Sequence, residues 1–113
     1  MTQDGIRYDW NNAHCAFFWE YRVDPKNAAA FEAFYGAEGK WSQLFRQASG
    51  YVRSELLRDP DDTTQYRTGD YWQSREAFLD FLRDFSEQYD ELGTQCADLA
   101  TERKNAGVFL TTG

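Results

Sequence analysis

The chain has 113 residues, enough for one domain with a single hydrophobic core. Its 42% hydrophobic and 27% charged residues are typical of a folded globular protein, and nineteen acidic against twelve basic residues give a net charge of −7. That charge repels phosphate groups and anionic lipid, so we expect neither nucleic acid nor a membrane as a partner. The aromatic content of 18% exceeds what so small a core easily hides, which indicates a second buried surface, either a ligand cavity or a subunit interface.

The N-terminal region is polar and has no hydrophobic periodicity. We expect residues 1–12 to form a flexible arm, with residues 13–113 as a single domain. No basic stretch leads into an apolar run, so the sequence predicts no signal peptide and a cytoplasmic location. Cys15 and Cys96 are far apart and unclustered, which favours two free buried thiols over a disulfide.

The first half of the chain predicts one strand followed by two helices. Residues 14–23 carry apolar or aromatic side chains at every odd position, while the even face begins apolar and becomes charged. This pattern is typical of a strand that is buried on both sides over part of its length. Asp24 and Pro25 provide an N-cap and a first residue for a helix that ends at Gly36. A second, short helix is predicted over residues 40–49.

The second half begins with a predicted hairpin. Residues 51–58 and 65–72 have the composition of strands, and the turn-forming residues 59–64 between them predict an antiparallel pair. Ser74 then provides an N-cap for a helix over residues 75–92 that has one continuous apolar stripe and one charged face.

The end of the chain completes the fold prediction. We expect Gly93 to interrupt the helix, which resumes through Leu99, and residues 106–110 to form a last strand. The order β-α-β-β-α-β predicts a ferredoxin-like α+β fold, a four-stranded antiparallel sheet with both helices on one face. The other face would be aromatic and uncovered. We therefore expect a second copy to cover it in a homodimeric α+β barrel.

Four segments of the sequence carry a resemblance to a known family: Phe18 to Pro25, Gly50-Tyr51, Leu56 to Asp59, and the junction Trp72-x-Ser74-x-Glu76-Ala77-Phe78. Over about residues 15 to 110 the chain resembles the antibiotic-biosynthesis monooxygenase family of dimeric α+β barrels. The resemblance implies oxygenation, without a cofactor, of an electron-rich small or polycyclic aromatic substrate such as a phenol or quinol. It places the substrate between the sheet and the helices.

Two features separate the chain from the haem-degrading relatives in the same superfamily. Those relatives pair the junction tryptophan with an asparagine on the first strand and a histidine on the second main helix. Here the first strand has Trp19 and Glu20, and residues 78–92 contain no histidine. His14, the sole histidine, precedes the first strand, where we expect a structural or exposed role. One histidine and two scattered cysteines give no metal-ligand spacing, so we expect neither cofactor nor metal.

The candidate site residues follow from the junction and its surroundings. Trp72 is our candidate catalytic residue, because its indole can cover a ligand and donate one hydrogen bond. The candidate substrate-binding residues are Trp41, Tyr35, Tyr71, Phe81, Phe85 and Arg53. The charged strand residues that could stabilise a phenolate or accept its proton are Arg22, Arg53, Arg67, Glu20, Glu55 and Asp70. The aromatic positions also suit an ordinary core and the charges suit cross-strand ion pairs, and the register of each strand decides which side chains point inward.

Two other functions share this pattern of elements. RNA-recognition modules have the same order, but the third strand lacks their basic glycine-aromatic signature and the net charge opposes RNA. A non-catalytic dimer that binds or senses a small aromatic ligand would use the same pocket as an oxygenase. The sequence leaves the second alternative open.

Overall fold

The protein is described by a computed structural model that covers residues 14–112. Its elements in chain order are β1 (Cys15–Arg22), a 3-10 turn (Pro25–Asn27), α1 (Ala28–Tyr35), α2 (Lys40–Phe45), β2 (Tyr51–Arg58), β3 (Gln65–Trp72), α3 (Arg75–Asp84), α4 (Ser86–Gln95) and β4 (Glu102–Leu110). The predicted ferredoxin-like α+β plan is confirmed. The predicted arm at residues 1–12 lies outside the described residues. No helix within residues 14–112 has the length and apolar content to cross a membrane.

The four strands form one antiparallel sheet in the order β2-β3-β1-β4. β1 is therefore an inner strand, paired with β3 on one side and β4 on the other. Its register with β3 sets Cys15 opposite Trp72 and Tyr21 opposite Tyr66. An inner position satisfies the backbone groups on both edges of β1 but does not bury its two faces, so the apolar Phe18 on the face away from the helices needs a separate cover.

The register of β1 decides which sheet face the helices cover. Phe17, Trp19 and Tyr21 point toward the helices, where Phe17 contacts Phe78 of α3 and Tyr21 contacts Phe31 of α1. The side chains between them point to the other face, which no helix covers within the described residues. We call this second face the open face: Ala16, Phe18, Arg53, Glu55, Leu57, Arg67, Tyr71, Lys104 and Phe109.

Local capping follows the sequence. The Asp24 carboxylate accepts a hydrogen bond from the Lys26 backbone N–H at 2.9 Å, and the Ser74 hydroxyl accepts one from the Ala77 N–H at 3.0 Å. Each satisfies a backbone donor that the first turn leaves free. The predicted helix start at Ser74 is confirmed, whereas Asp24 caps the 3-10 turn Pro25–Asn27 and α1 itself begins at Ala28.

The sequence predicted the wrong position for the break in the helix that begins at residue 75. The chain leaves helical geometry at Phe85, between α3 and α4, and Gly93 lies inside α4. Residues eight apart in a straight helix differ by about 80° in direction. The break at Phe85 brings the rings of Phe81 and Tyr89 to 6.1 Å of one another on the sheet side. Glycine within the last turns of α4 is tolerated because its cost is only about 1 kcal/mol.

The helix also ends at Gln95 and does not continue through Leu99, and the last strand begins at Glu102 and not at residue 106. The first residues of β4 are polar and exposed, so they carry no hydrophobic alternation. Pairing with β1, and not burial, makes them a strand. Cys15 and Cys96 are free buried thiols, as predicted.

The core has two clusters of buried side chains. Tyr21, Val23, Phe31 and Tyr66 form one under α1, and Leu44, Phe45, Trp72 and Phe81 form the other under α2 and α3. Side chains from both clusters form the walls of the cavity described next.

Candidate functional site

A cavity of about 440 Å³ lies between the helix-facing side of the sheet and the helices. This volume is within the range of small-molecule sites. Its aromatic lining residues are Phe17, Trp19, Tyr21, Tyr35, Trp41, Phe45, Phe78 and Tyr89. Its polar lining residues are Ser42, Thr68, Asp70, Arg103 and Asn105. The cavity is therefore suited to a flat aromatic ligand with a few polar groups.

Strand alternation brings residues from three strands to this wall. Asp70 of β3 lies opposite Phe17 of β1, and Asn105 and Arg103 of β4 lie opposite Trp19 and Tyr21. Because cross-strand partners share a face, all of these side chains point into the space below the helices.

Asp70 is the carboxylate of the cavity wall. The Ser54 hydroxyl of β2 donates a hydrogen bond to Asp70 Oδ1 at 2.6 Å, and the Tyr51 hydroxyl donates one to Ser54 Oγ at 2.8 Å. Burial raises the pKa of Asp70 to about 6, and the Ser54 hydrogen bond opposes this rise. A carboxylate with this pKa is mostly ionised at pH 7 and still binds a proton readily, which suits a general base.

Three tyrosines complete the polar wall. Burial raises the pKa values of Tyr21, Tyr35 and Tyr89 above the ordinary phenol value, so all three hydroxyls stay neutral near pH 7 and can donate hydrogen bonds. The Tyr35 hydroxyl contacts Cys96 Sγ at 3.3 Å. The positive charge of Arg103 opposes the rise in the pKa of Tyr21 and Tyr35, which places that charge near the two phenols.

Two of the predicted aromatic residues, Trp41 and Tyr35, line the cavity. The indole Nε1 of Trp41 is buried and meets no acceptor among the described residues. An N–H that faced the open cavity would be exposed, so the ring of Trp41, and not its N–H, borders the cavity.

Trp72 lies outside the lining of the cavity, in the core behind it. Its side chain is 0% exposed, and its Nε1 is buried with no acceptor among the described residues. The surrounding rings belong to Phe45, Tyr51, Phe78 and Phe81, at centroid distances of 5.3 to 5.5 Å. Phe81 and Phe85 belong to the same packed cluster and are not part of the lining either. A ligand in this cavity does not touch Trp72 unless the core rearranges.

Tyr71 and Arg53 lie on the open face and not in the cavity, because odd-numbered positions of β3 and their partners on β2 point away from the helices. The Arg53 guanidinium lies 4.1 Å from the centroid of the Tyr71 ring, and the Tyr71 hydroxyl donates to Glu55 at 3.0 Å. That these two residues bind substrate stays a prediction. Both side chains lie outside the lining of the cavity.

The remaining candidate charges also lie away from the cavity. Arg22 forms ion pairs with Asp62 at 3.3 Å and Glu102 at 3.6 Å, and the Arg67 guanidinium lies 4.9 Å from the Phe18 ring centroid. Glu20 lies opposite Arg67 on the same face. Of the six charged strand residues singled out by sequence, Asp70 alone is part of the lining. His14 is exposed.

Arg103 and Asn105 were not predicted as site residues, because the last strand predicted from the sequence begins at residue 106, after both of them. Arg103 and Asn105 alternate along the strand, and an extra residue, Ala106, separates them from Val108 where the pairing with β1 shifts; the pattern is visible only once the strand is extended to Glu102. Within residues 14–112 no three His, Cys, Asp or Glu side chains come together as a metal-ligand group.

Solved structures share this fold across most of the chain. SnoaB from Streptomyces nogalater, described as a cofactor-independent oxygenase, is 22% identical, with a TM-score of 0.69 over 90% of this chain and 96% of that one. PA3566 from Pseudomonas aeruginosa is 14% identical, with a TM-score of 0.64 over 90% and 97% of the two chains. MupZ from Pseudomonas fluorescens is 14% identical, with a TM-score of 0.62 over 86% and 69%. At these identities the likeness shows the fold.

A search of curated proteins gives no match. A family model described as antibiotic biosynthesis monooxygenase matches residues 18–85, which is more than half of the chain. This span runs from the aromatic strand β1 through the hairpin to the end of α3. The chain belongs to the antibiotic biosynthesis monooxygenase family.

Proposed function

We propose that the protein is a cofactor-independent oxygenase of a phenol- or quinol-type aromatic substrate that binds in the cavity. The observation that carries this proposal is Asp70, a carboxyl group with a pKa raised to about 6 in an otherwise largely aromatic wall. Family membership supports the reaction class, as does the fold shared with SnoaB, itself described as a cofactor-independent oxygenase.

The chemistry needs a substrate that reduces O₂ once it has lost a proton. Asp70 accepts the proton from the substrate, and the resulting anion passes electrons to O₂ and forms a carbon–oxygen bond. The peroxide anion takes the proton back from Asp70. If the oxygenated carbon still carries a hydrogen, loss of water leaves a carbonyl. The balance is CH₂ + O₂ → C=O + H₂O, so one oxygen atom enters the product and the other becomes water.

The other polar side chains of the wall have supporting roles in this scheme. The positive charge of Arg103 stabilises the deprotonated substrate, and the neutral hydroxyls of Tyr21 and Tyr89 donate hydrogen bonds to its oxygen atoms. The aromatic side chains bind the ring system and exclude water from the anion.

We also propose that the protein is a homodimer in which the open faces of two copies pack together. The centre of this face carries Phe18, Tyr71 and the 55% exposed Phe109, and Leu57 beside them is 51% exposed. Charges of both signs surround these side chains, which lets one face complement a second copy of itself. The cytoplasmic location stays a prediction.

Oxygen uptake tests the catalytic proposal. Purified protein is mixed with a panel of quinols and anthrones in the presence of a metal chelator, and O₂ consumption is followed with an electrode. We expect turnover that falls by about 10²-fold or more in Asp70→Asn, as for a lost general base, and that is retained in the exposed control Asp98→Asn. Saturable binding of these compounds without uptake would instead identify a ligand-binding or sensing protein.

A further inference from the structure

We propose that Ser54 and Tyr51 are positioning residues for Asp70: they fix one carboxylate oxygen so that the other takes the proton. This inference rests on the proposed role of Asp70 as a base. It concerns residues of β2 that lie outside the lining of the cavity and act on the ligand only through Asp70.

The directions of two hydrogen bonds identify which oxygen of Asp70 is held by Ser54. A serine hydroxyl has one proton, and Ser54 Oγ already accepts the hydrogen bond from the Tyr51 hydroxyl at 2.8 Å. Its own proton therefore points to Asp70 Oδ1, at 2.6 Å. Oδ2 of Asp70 accepts no hydrogen bond from the described residues, so it is the oxygen available to a substrate.

A β-bulge makes this arrangement possible. In a regular strand Tyr51 and Ser54, three positions apart, would point to opposite faces. The pairing of β2 with β3 shifts between Tyr51 and Arg53, and the extra residue lets Tyr51 and Ser54 face the helices while Arg53 faces away.

Neighbouring aromatic rings hold Tyr51 in the position from which its hydroxyl reaches Ser54. The ring lies 5.6 Å from Phe45 and 5.3 Å from Trp72, centroid to centroid, in the core beside the cavity. Trp72 therefore reaches Asp70 indirectly, by holding Tyr51, which orients Ser54.

The cavity-facing groups of β1, β4 and the helices do not take over the role of Ser54 and Tyr51 at Asp70. Burial, and to a lesser extent the charge of Asp70, raises the pKa values of Tyr21 of β1 and Tyr89 of α4, so both phenols stay neutral near pH 7. The charge of Arg103 of β4 opposes the rise in the pKa of Tyr21, whereas the causes that shift the pKa of Asp70 are burial and the Ser54 hydrogen bond. The wall residues of α2 and α3 are Trp41, Ser42, Phe45, Phe78 and Leu82, and none of them is charged.

The test is the pKa of Asp70 itself, read from its ¹³C carboxyl signal in an NMR titration and assigned with Asp70→Asn. Removing the hydroxyl in Ser54→Ala takes a donor from the carboxylate, so we expect the pKa to rise from about 6 to about 7. Tyr51→Phe should raise it by less, because Ser54 keeps its hydroxyl but loses its orientation. Ser54→Thr retains the hydroxyl and should keep the pKa near that of the wild type.

Tyr66→Phe is the matched control, because it also removes a buried-ring hydroxyl from this sheet. That hydroxyl donates to Glu32 at 2.6 Å, and Tyr66 is not in the lining of the cavity. Its Asp70 signal should titrate as in the wild type. An unchanged Asp70 pKa in Ser54→Ala, or an equal change in Tyr66→Phe, overturns the inference.

Oxygen uptake separates this inference from the proposed function. If the wild type turns over, the acidic limb of its pH–rate profile should move up with the Asp70 pKa in Ser54→Ala, with kcat at pH 6 down several-fold and KM little changed. If no compound is oxygenated but the NMR shift appears, the oxygenase proposal fails and the positioning of Asp70 by Ser54 is retained.

Discussion

Replacing Asp70 by asparagine should make the protein more stable above pH 6, because the native fold penalises the charge of this carboxyl. Burial raises the pKa of Asp70 from its ordinary 3.8 to about 6. At about 1.4 kcal/mol per pH unit, this difference corresponds to at most ~3 kcal/mol. The Asp70 side chain is only half-buried by exposure, so solvent screens part of its charge, and we expect a gain of about 1–2 kcal/mol.

The contribution of Asp70 to the unfolding free energy changes with pH. Below pH about 4 the carboxyl is protonated in both the folded and the unfolded chain, so it costs nothing. Between pH 4 and pH 6 the unfolded chain loses this proton first, and the stability of the wild type falls as the pH rises. Above pH 6 the full cost is present. Asparagine avoids the cost, and its side-chain oxygen can still accept the hydrogen bond from Ser54.

Urea unfolding at pH 4, 5, 6, 7 and 8 measures this effect as the difference in unfolding free energy between Asp70→Asn and the wild type. Taking the difference removes the titration of all other groups. The exposed Asp98→Asn removes the same charge and should give a nearly flat difference. A flat line for Asp70→Asn, or a variant less stable than the wild type at pH 8, would refute the reasoning from burial.

Three further outcomes follow from the packing. Trp72→Phe should lower the unfolding free energy by about 1–3 kcal/mol but leave ligand affinity within about twofold, because the indole fills the core and not the cavity; paired melting and titration curves check this. Light scattering should show a dimer at micromolar concentration and a monomer for Phe109→Asp, which puts a charge on the open face; a wild-type monomer would contradict the paired sheets. Cys15 and Cys96 should react with a thiol reagent only after unfolding, because both are buried and burial raises the pKa of Cys15; rapid labelling of the native protein would contradict this.

The sequence by itself determined the order of elements and the local geometry at their ends. The period-2 pattern of β1 and the caps Asp24 and Ser74 are properties of neighbouring residues, so they can be read without the fold. The predictions were wrong where contacts with distant parts of the chain, and not neighbouring residues, determine the structure. The first residues of β4 are polar and become a strand only by pairing with β1, and the break at Phe85 follows from packing against the sheet.

The tertiary structure alone decided which side chains line the cavity. The alternation of a strand defines two faces but not which one the helices cover, and a shift of one residue exchanges them. Asp70 and Glu55 were equivalent candidates by sequence, yet the pairing of β2 with β3 puts Asp70 in the cavity and Glu55 on the open face. Trp72, placed at the site by its motif, lies in the core, because the rings of α2 and α3 close over it. The sequence specifies the rings and the carboxylate, and the three-dimensional register of four strands determines which of them meet.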